Sequence, residues 1–458
     1  MTDNIRVPQS EKSAPRSDIN IPFGWRRELT LPSLPEVHRT IPVFTNASPL
    51  KKIFTFAGPG YLIAVGYMDP GNWATGISAG SRFGYALLSV VLLSTLFAIF
   101  LQALSAKLGI ATGRDLAQAC RDHYPPFISV ILWLICELAI AACDLAEVLG
   151  CAVALKLLFN LPIIWGVILT ILDVFLVLAV QNFGFRFIEA FVITLIITIA
   201  ACFAYEIFLA QPLWKEAVSG FIPTMDMFTH REMLYAAIGL LGATIMPHNL
   251  YLHSSIVHTR AFAKDNSGKK EALRYALIDS TIALCFTFFI NAAIVILGAA
   301  VFHHHGLREI ADLSDAYQLL SPILGTSLAS TLFAFALLAS GQNSSLTGTL
   351  AGQIVMEGYL NIRIKPWQRR LLTRAIAIIP AILVIGIYGE NKVLALLILS
   401  QVILSFQLPF AMIPLIQFTS ERAKMGALVN SKFTKCIAYI ISIIIIALNG
   451  ELIWLTFF

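Results

Sequence analysis

Two short stretches of this 458-residue chain hold residues that could bind an ion in surroundings where ions are hard to keep. The first, Tyr67-Met68-Asp69-Pro70-Gly71-Asn72, lies inside an otherwise apolar segment. A carboxylate at membrane depth is costly, and Pro followed by Gly interrupts the hydrogen bonding that a lipid-embedded helix needs. If the helix opens at Pro70-Gly71, carbonyls near Gly66 and Tyr67 are freed and Asp69 is presented together with Asn72. An oxygen-rich set with one carboxylate suits a hard or borderline divalent cation. The plainer alternative is a kinked helix in which a neighbour satisfies Asp69. The second stretch, Met246-Pro247-His248-Asn249, repeats the X-Pro-X-Asn form, with the backbone expected to open near Ala243. A methionine in a membrane helix is usually packing material. Facing Asp69, the Met246 thioether becomes a soft ligand that favours later transition metals over calcium or magnesium.

Glu137, Asp144 and Glu147 follow one another at spacings of seven and three, which places all three on one helical face. Carboxylates along one intramembrane stripe suit a proton or ion path. They could instead pair with Arg374 or other basic groups to hold helices together. Both readings can hold at once, because a cationic partner sets the pKa of a relay. His248 follows the second proline, and His253 shares a face with Met246. Each could titrate near neutrality or serve structure alone. Gln401 reads as an interhelical hydrogen-bonding group, with ligand duty as the alternative.

The elements that must position these groups follow from composition. The chain is 57% hydrophobic and 13% charged, whereas soluble domains carry about a quarter charged residues. This is an all-α polytopic membrane protein, and a soluble nucleic-acid binder is excluded. The seven cysteines form no CxxC pair and fall mostly in apolar runs, so neither a disulfide framework nor a zinc site is expected. No cleavable signal is visible. Residues 1–50 read as a cytoplasmic, disordered tail with a short interfacial piece near Phe23-Gly24-Trp25, and 51–458 as the transport domain.

Apolar stretches near 53–80, 84–106, 127–155, 162–181, 187–210, 232–258, 272–302, 326–357, 371–389, 393–418 and 434–457 predict eleven spans. With the N-terminus inside, the inner loops hold the clusters Arg260, Lys264, Lys269, Lys270, Arg274 and Arg363, Lys365, Arg369, Arg370, Arg374; the outer loops hold scattered residues such as Arg82 and Lys156. The positive-inside rule then puts the N-terminus in the cytoplasm and the C-terminus outside, which also accounts for the net charge of +5. The two interrupted segments are spans 1 and 6. An offset of five spans predicts a 5+5 inverted repeat, about 51–210 and 232–418, with an extra helix at 434–457.

Asp69-Pro70-Gly71-Asn72 and Met246-Pro247-His248 resemble the two unwound-helix motifs of the Nramp (natural resistance-associated macrophage protein) divalent-metal transporters. GQNSSLTGTLAGQIVMEGYL at 341–360, SQVILSFQLPFA at 400–411 and Asp144-Leu145-Ala146-Glu147 resemble that family's signatures in spans 8, 10 and 3. The resemblance covers roughly 51–458. It implies a LeuT-like fold with discontinuous helices 1 and 6, and proton-coupled import of Mn²⁺ or Fe²⁺, with Cd²⁺ and Co²⁺ as further cargo, across a bacterial inner membrane. It assigns metal binding to Asp69, Asn72, Met246 and the Ala243 carbonyl, joined by the Gly66 carbonyl or Gln401. It assigns proton handling to Asp69, His248, Glu137, Asp144, Glu147 and His253, with basic groups such as Arg374 as partners. Relatives that handle Mg²⁺ or Al³⁺ lack the methionine, and this chain keeps it. Cys143 departs from the family pattern, standing where Thr is expected before Asp144. No resident cofactor is expected, the metal being cargo, and no obligate protein partner is evident.

Two other classes compete with this reading. A proton- or Na⁺-coupled amino-acid carrier of the same architecture would explain the broken helices and give Met246 no task. A membrane enzyme would need a nucleophile–base pair, an HExxH motif or a phosphate loop, and the chain has none of them.

Overall fold

The computed structural model describes residues 24–29, 31–43, 47–173, 175, 183–308, 313–389 and 392–457. Over these residues the chain is helical, with one two-residue parallel bridge between β1 (Ile41–Pro42) and β2 (Arg260–Ala261). The helices that matter for the site are α1 (Pro49–Phe56), α2 (Pro59–Val65), α3 (Pro70–Phe83), α4 (Leu88–Thr112), α5 (Leu116–His123), α6 (Pro126–Phe159), α7 (Ile163–Leu169), α8 (Phe185–Ala210), α9 (Arg231–Thr244), α10 (His248–Ile256), α11 (Asn266–Leu297), α12 (Leu313–Leu324), α13 (Ser327–Leu360), α14 (Pro366–Tyr388), α15 (Val393–Ser420) and α16 (Lys432–Phe457).

Among the described residues, eight helical segments are long and apolar enough to cross a membrane. The other three expected spans differ for separate reasons. The segment at 53–80 is cut by its break into α2 and α3, each too short to cross alone. The one at 162–181 is described through residue 173 and at 175; its remainder lies outside the described residues. The one at 326–357 is the 34-residue α13, a continuous helix whose Ser-, Thr- and Gly-rich middle lowers its hydropathy. Lipid-facing rows are plain on the outer helices. Ile376, Ile379, Leu383 and Ile387 of α14 are exposed at spacings of three and four, as are Ile282, Phe286 and Phe289 of α11. Such apolar stripes are stable only when covered by an apolar medium.

A large core unites α3, α6, α8, α11 and α13 around Trp73, which packs against Phe203 and Phe333 at centroid distances of 4.7 and 5.4 Å. A second core joins α4, α9, α15 and α16. The polar stretch expected as a disordered tail behaves otherwise over the described residues 24–43. That strap crosses the Lys/Arg-rich end of the bundle with Trp25 and Leu34 buried. The Trp25 ring sits beneath the Arg114 guanidinium (4.5 Å) and the Lys424 ammonium (5.1 Å). Ser33 donates to Asp115 (2.6 Å), the Leu34 N–H to Glu357 (3.0 Å) and the Arg39 N–H to the His258 carbonyl (2.8 Å). Cation–π contacts and long-range backbone bonds hold this segment in place, and no local sequence pattern announces them.

Candidate metal and proton sites

Both breaks form where the sequence places proline. In the first, α2 ends at Val65, a single 3₁₀ turn covers Gly66–Met68, and α3 starts at Pro70. Asp69 is the N-cap of α3, with extended backbone (φ −64°, ψ 164°), and its Oδ1 accepts the Asn72 N–H at 2.9 Å. Asp as cap with Pro at N1 is a favoured helix start, so the residue that interrupts one helix begins the next. In the second break α9 ends at Thr244, Ile245 leaves the helical region (φ −94°, ψ 88°), and α10 starts at His248. Gly66 and Ala243 each lie four residues before a proline. A continuous helix would give their carbonyls an N–H from that position, and proline has none. The two chains of missing bonds therefore end on the two carbonyls expected as ligands.

The breaks face each other across the bundle core. Gly66 is pressed so closely against the Asn249 side chain that a Cβ there would collide with it, and Gly71 meets Gln401 in the same way. Gln401 Nε2 donates to Asp69 Oδ2 at 3.0 Å, which brings α15 to the carboxylate. Asp69, Asn72 and Gln401 thus come together directly. Met246 packs with Ala139 and Cys143 of α6 and Leu404 of α15, and Ala243 is buried one turn before it. Asp69, Ala243 and Met246 are fully sealed from solvent, and Asn72 and Gln401 nearly so. Among the described residues Asp69 has amide partners and no ion pair.

Several buried polar atoms around the breaks have no hydrogen-bond partner among the described residues: Asn72 Nδ2, Gln401 Oε1, both side-chain ends of Asn249, and His248 Nδ1. Buried polar groups are nearly always satisfied, and an orphaned cluster calls for an explanation such as an ion. The expectation that Tyr67 offers a free carbonyl does not hold. Asn291 Nδ2 donates to the Tyr67 carbonyl at 2.8 Å, and the Met68 carbonyl receives Ser340 Oγ and Trp73 Nε1. The first break is thereby braced by α11 and α13, leaving Gly66 as its candidate carbonyl.

The carboxylate stripe of α6 is buried against α13 and α14. Arg374 Nη1 reaches Glu147 Oε2 at 3.5 Å and the Asp144 carbonyl at 3.3 Å. Its other donors engage Asp173 and Ser345. Glu137 stands apart, nearer the Lys/Arg-rich end, bound by Arg369 at 3.2 Å and by Trp133. Cys143 Sγ donates to Glu147 Oε1 at 3.6 Å, so the thiol keeps a polar contact in the position where Thr was expected. His253 Nδ1 lies 3.0 Å from Gln102 Oε1, and Gln102 Nε2 donates to the Tyr67 hydroxyl at 2.8 Å, making a buried polar chain from the first break toward the Lys/Arg-rich end. Sequence reasoning missed Asp173 and Ser345. One acid in an apolar run was the available signal for Asp173, and it lacked the periodicity that marked α6.

At the Lys/Arg-rich end the start of α2 is locked. Asp279 accepts the N–H groups of Gly58 (3.2 Å) and Gly60 (2.6 Å). Arg260 pairs with Glu189 at 2.5 Å and donates to the carbonyls of Thr55 and Ala57. Buried, satisfied ion pairs of this kind hold a specific arrangement more than they add stability.

The family model described as natural resistance-associated macrophage protein-like, Nramp, matches residues 60–455. This chain belongs to the Nramp family. The divalent metal cation transporter MntH of Listeria welshimeri is 56% identical over 433 residues, spanning 94% of this chain and 97% of that protein. Among solved structures, the manganese transporter of Eremococcus coleocola, in complex with an aromatic bis-isothiourea substituted compound, superposes with a TM-score of 0.86. It is 41% identical, over 91% of this Nramp chain and 90% of its own. Mhp1, a nucleobase-cation-symport-1 family transporter, is 15% identical with a TM-score of 0.59, over 87% of this chain and 92% of its own. At that identity the likeness shows a shared fold alone, the LeuT-like architecture.

Proposed function

We propose that this chain is a secondary transporter that imports divalent transition-metal ions, Mn²⁺ or Fe²⁺ foremost and Cd²⁺ and Co²⁺ besides, with protons moving in the same direction. The observation that carries the reading is the donor set at the facing breaks: among the described residues, one carboxylate without an ion-pair partner, the Gln401 amide oxygen without a hydrogen-bond partner, two carbonyls released by proline and one thioether. A divalent cation would supply the charge that Asp69 lacks, and the sulfur of Met246 would prefer it to be a later, softer ion than Ca²⁺ or Mg²⁺. The identity to proteins named as divalent metal cation transporters supports the cargo class.

In this reading Asp69, Asn72, Met246 and the Gly66 and Ala243 carbonyls hold the ion, with Gln401 exchanging its bond to Asp69 for one to the metal. Protons arriving with the ion pass from Asp69 and His248 toward Asp144 and Glu147, whose interaction with Arg374 sets how readily they release them. Glu137, nearer the Lys/Arg-rich end, and His253, through Gln102, continue the polar routes in that direction. Eleven spans in a 5+5 inverted repeat, N-terminus in the cytoplasm and C-terminus outside, fit the loop charges and the paired breaks. The setting is a bacterial plasma membrane. The Asp279 and Arg260–Glu189 lock then closes the cytoplasmic side, and its release lets α2 move and the ion leave inward.

Uptake of Mn²⁺ into proteoliposomes under an inward proton gradient, with excess Ca²⁺ as competitor, tests this for wild type and Met246→Ala. Saturable, Ca²⁺-resistant uptake that becomes Ca²⁺-sensitive in the variant is expected. Folded protein that takes up no Mn²⁺ overturns the reading, and saturable amino-acid uptake in its place would establish the carrier alternative.

A further inference from the structure

A cavity of about 240 Å³ at the Lys/Arg-rich end lies outside the transport machinery, on the seam between the strap and the rest of the bundle. His38 and Arg39 of the strap line it, as do Thr112 at the end of α4, His258 just beyond α10, and Lys264 and Lys269 around the start of α11. Five of these six side chains are basic, and among the described residues no carboxylate lines the cavity. Two acids close by in sequence are engaged elsewhere, and Glu28, beside the lining Leu29, is exposed. Asp265 accepts the Ser267 N–H at 3.2 Å and Glu271 pairs with Lys52.

Arg39 and Lys269 are held in place yet keep donors to spare, and Lys264 is exposed. Arg39 Nη2 donates to the Phe262 carbonyl at 2.9 Å with its guanidinium 5.9 Å from the Phe262 ring centre, and a guanidinium has five N–H donors. Lys269 Nζ donates to the Ala111 carbonyl at 2.7 Å, which leaves two of its three N–H bonds. The His38 and His258 rings lie 5.6 Å apart, and His258 Nε2 is buried without a partner among the described residues. Gly113 borders the space with a left-handed backbone (φ +73°) and nothing within 4 Å of where a Cβ would point. Burial and the charges of Arg39 and Lys264 hold the His38 imidazole below its ordinary pKa, as expected where positive charge gathers uncompensated.

We propose that this cavity binds a phosphate-bearing anion, whose oxygens would be shared among Arg39, Lys264, Lys269 and the unpartnered His258 Nε2. Fixed cations of this geometry make charge-assisted bonds to phosphate. The anion would tie together the strap, the end of α4 and the start of α11. Two sources offer the same chemistry: a soluble phosphomonoester, or the headgroup of an anionic lipid. The second is open because the strap runs into α1, whose Leu50 and Phe54 are exposed beside Lys51 and Lys52.

Calorimetric titration of the full-length protein in detergent with glycerol 3-phosphate, and native mass spectrometry with phosphatidylglycerol against phosphatidylcholine, separate the two. One of the probes is expected to saturate at one per chain and to bind about tenfold more weakly to the Arg39→Gln/Lys264→Gln protein. Saturation by glycerol 3-phosphate assigns a soluble ligand, and selective retention of phosphatidylglycerol alone assigns a headgroup. Lys270→Gln, an exposed cation outside the cavity, should leave binding unchanged. Lys264→Gln alone, in an exposed position, should give a threefold loss if the double variant does not fold. Saturation by neither probe, or equal weakening by Lys270→Gln, would overturn the site, the second outcome reducing it to diffuse surface charge.

Discussion

Two buried carboxylate clusters sit in the core of this protein, and they treat charge in opposite ways. Around Arg374, the acids Glu147 and Asp173 share a resident guanidinium with the Asp144 carbonyl and Ser345. At the first helix break Asp69 has the Asn72 N–H and the Gln401 amide and, among the described residues, no cation. A buried charge is tolerable when paired. The first cluster therefore carries its own compensation and can serve as a fixed relay, whereas the second is complete only when a cation or a proton arrives. On the proposed function, that difference would separate the place where cargo stops from a relay that passes protons onward.

The largest effect should come from the uncompensated side. Asp69→Asn keeps the cap and removes the charge, and the Gln401 amide must turn so that its Oε1 accepts from the new amide. Saturable Mn²⁺ binding measured by calorimetry should fall at least about a hundredfold, the upper end of the losses typical when only an outer-shell partner is altered. If binding survives, the contrast between the clusters fails. Next is Arg374→Ala, which strands two buried carboxylates and should lower unfolding stability by about 3–5 kcal/mol, read by thermal melting in detergent. Adding Asp173→Asn to that variant should recover part of the loss, because it removes one of the stranded charges; no recovery would mean that the guanidinium acts by packing alone. Met246→Ala should weaken Mn²⁺ about tenfold, near 1.4 kcal/mol, while leaving Ca²⁺ binding little changed, so the selectivity narrows. An equal loss for both ions would assign Met246 to packing.

The smallest effect lies outside the spans. Burial pushes Asp115 up to about 6, against the downward pull of its bond from Ser33. The folded chain then holds that proton more tightly than the unfolded chain, so this group's contribution to stability falls as pH rises from about 4 to 6. Asp115→Asn should flatten that part of the melting-temperature profile, and an unchanged profile would show that another group sets it.

Much of the site could be read from sequence because proline acts locally. Asp69-Pro70 and Met246-Pro247 each fix a helix start and strip a donor from the residue four places earlier, so the breaks and their carbonyls follow from chemistry within a single turn. The α6 stripe was legible through its spacing. What escaped was set by partners distant in sequence. Tyr67 was expected to leave its carbonyl open near the break, and Asn291 closes it, while Ser340 closes that of Met68 beside it. Asp173 gains meaning only once α14 brings Arg374 to it. The strap reads as tail because its contacts, Trp25 against Arg114 and Leu34 against Glu357, join residues far apart in the chain. The polar middle of α13 is buried against α6, so a helix needed at the centre of the bundle lacks the hydropathy that marks its neighbours.

The most direct test is anomalous diffraction at the manganese edge from crystals of the protein grown with Mn²⁺. The account predicts a single strong peak within coordination distance of the Asp69 carboxylate and the Met246 sulfur, with Gln401 Oε1 turned toward it. A peak among Asp144, Glu147 and Asp173, or a peak at Asp69 that leaves Met246 out of reach, would contradict it.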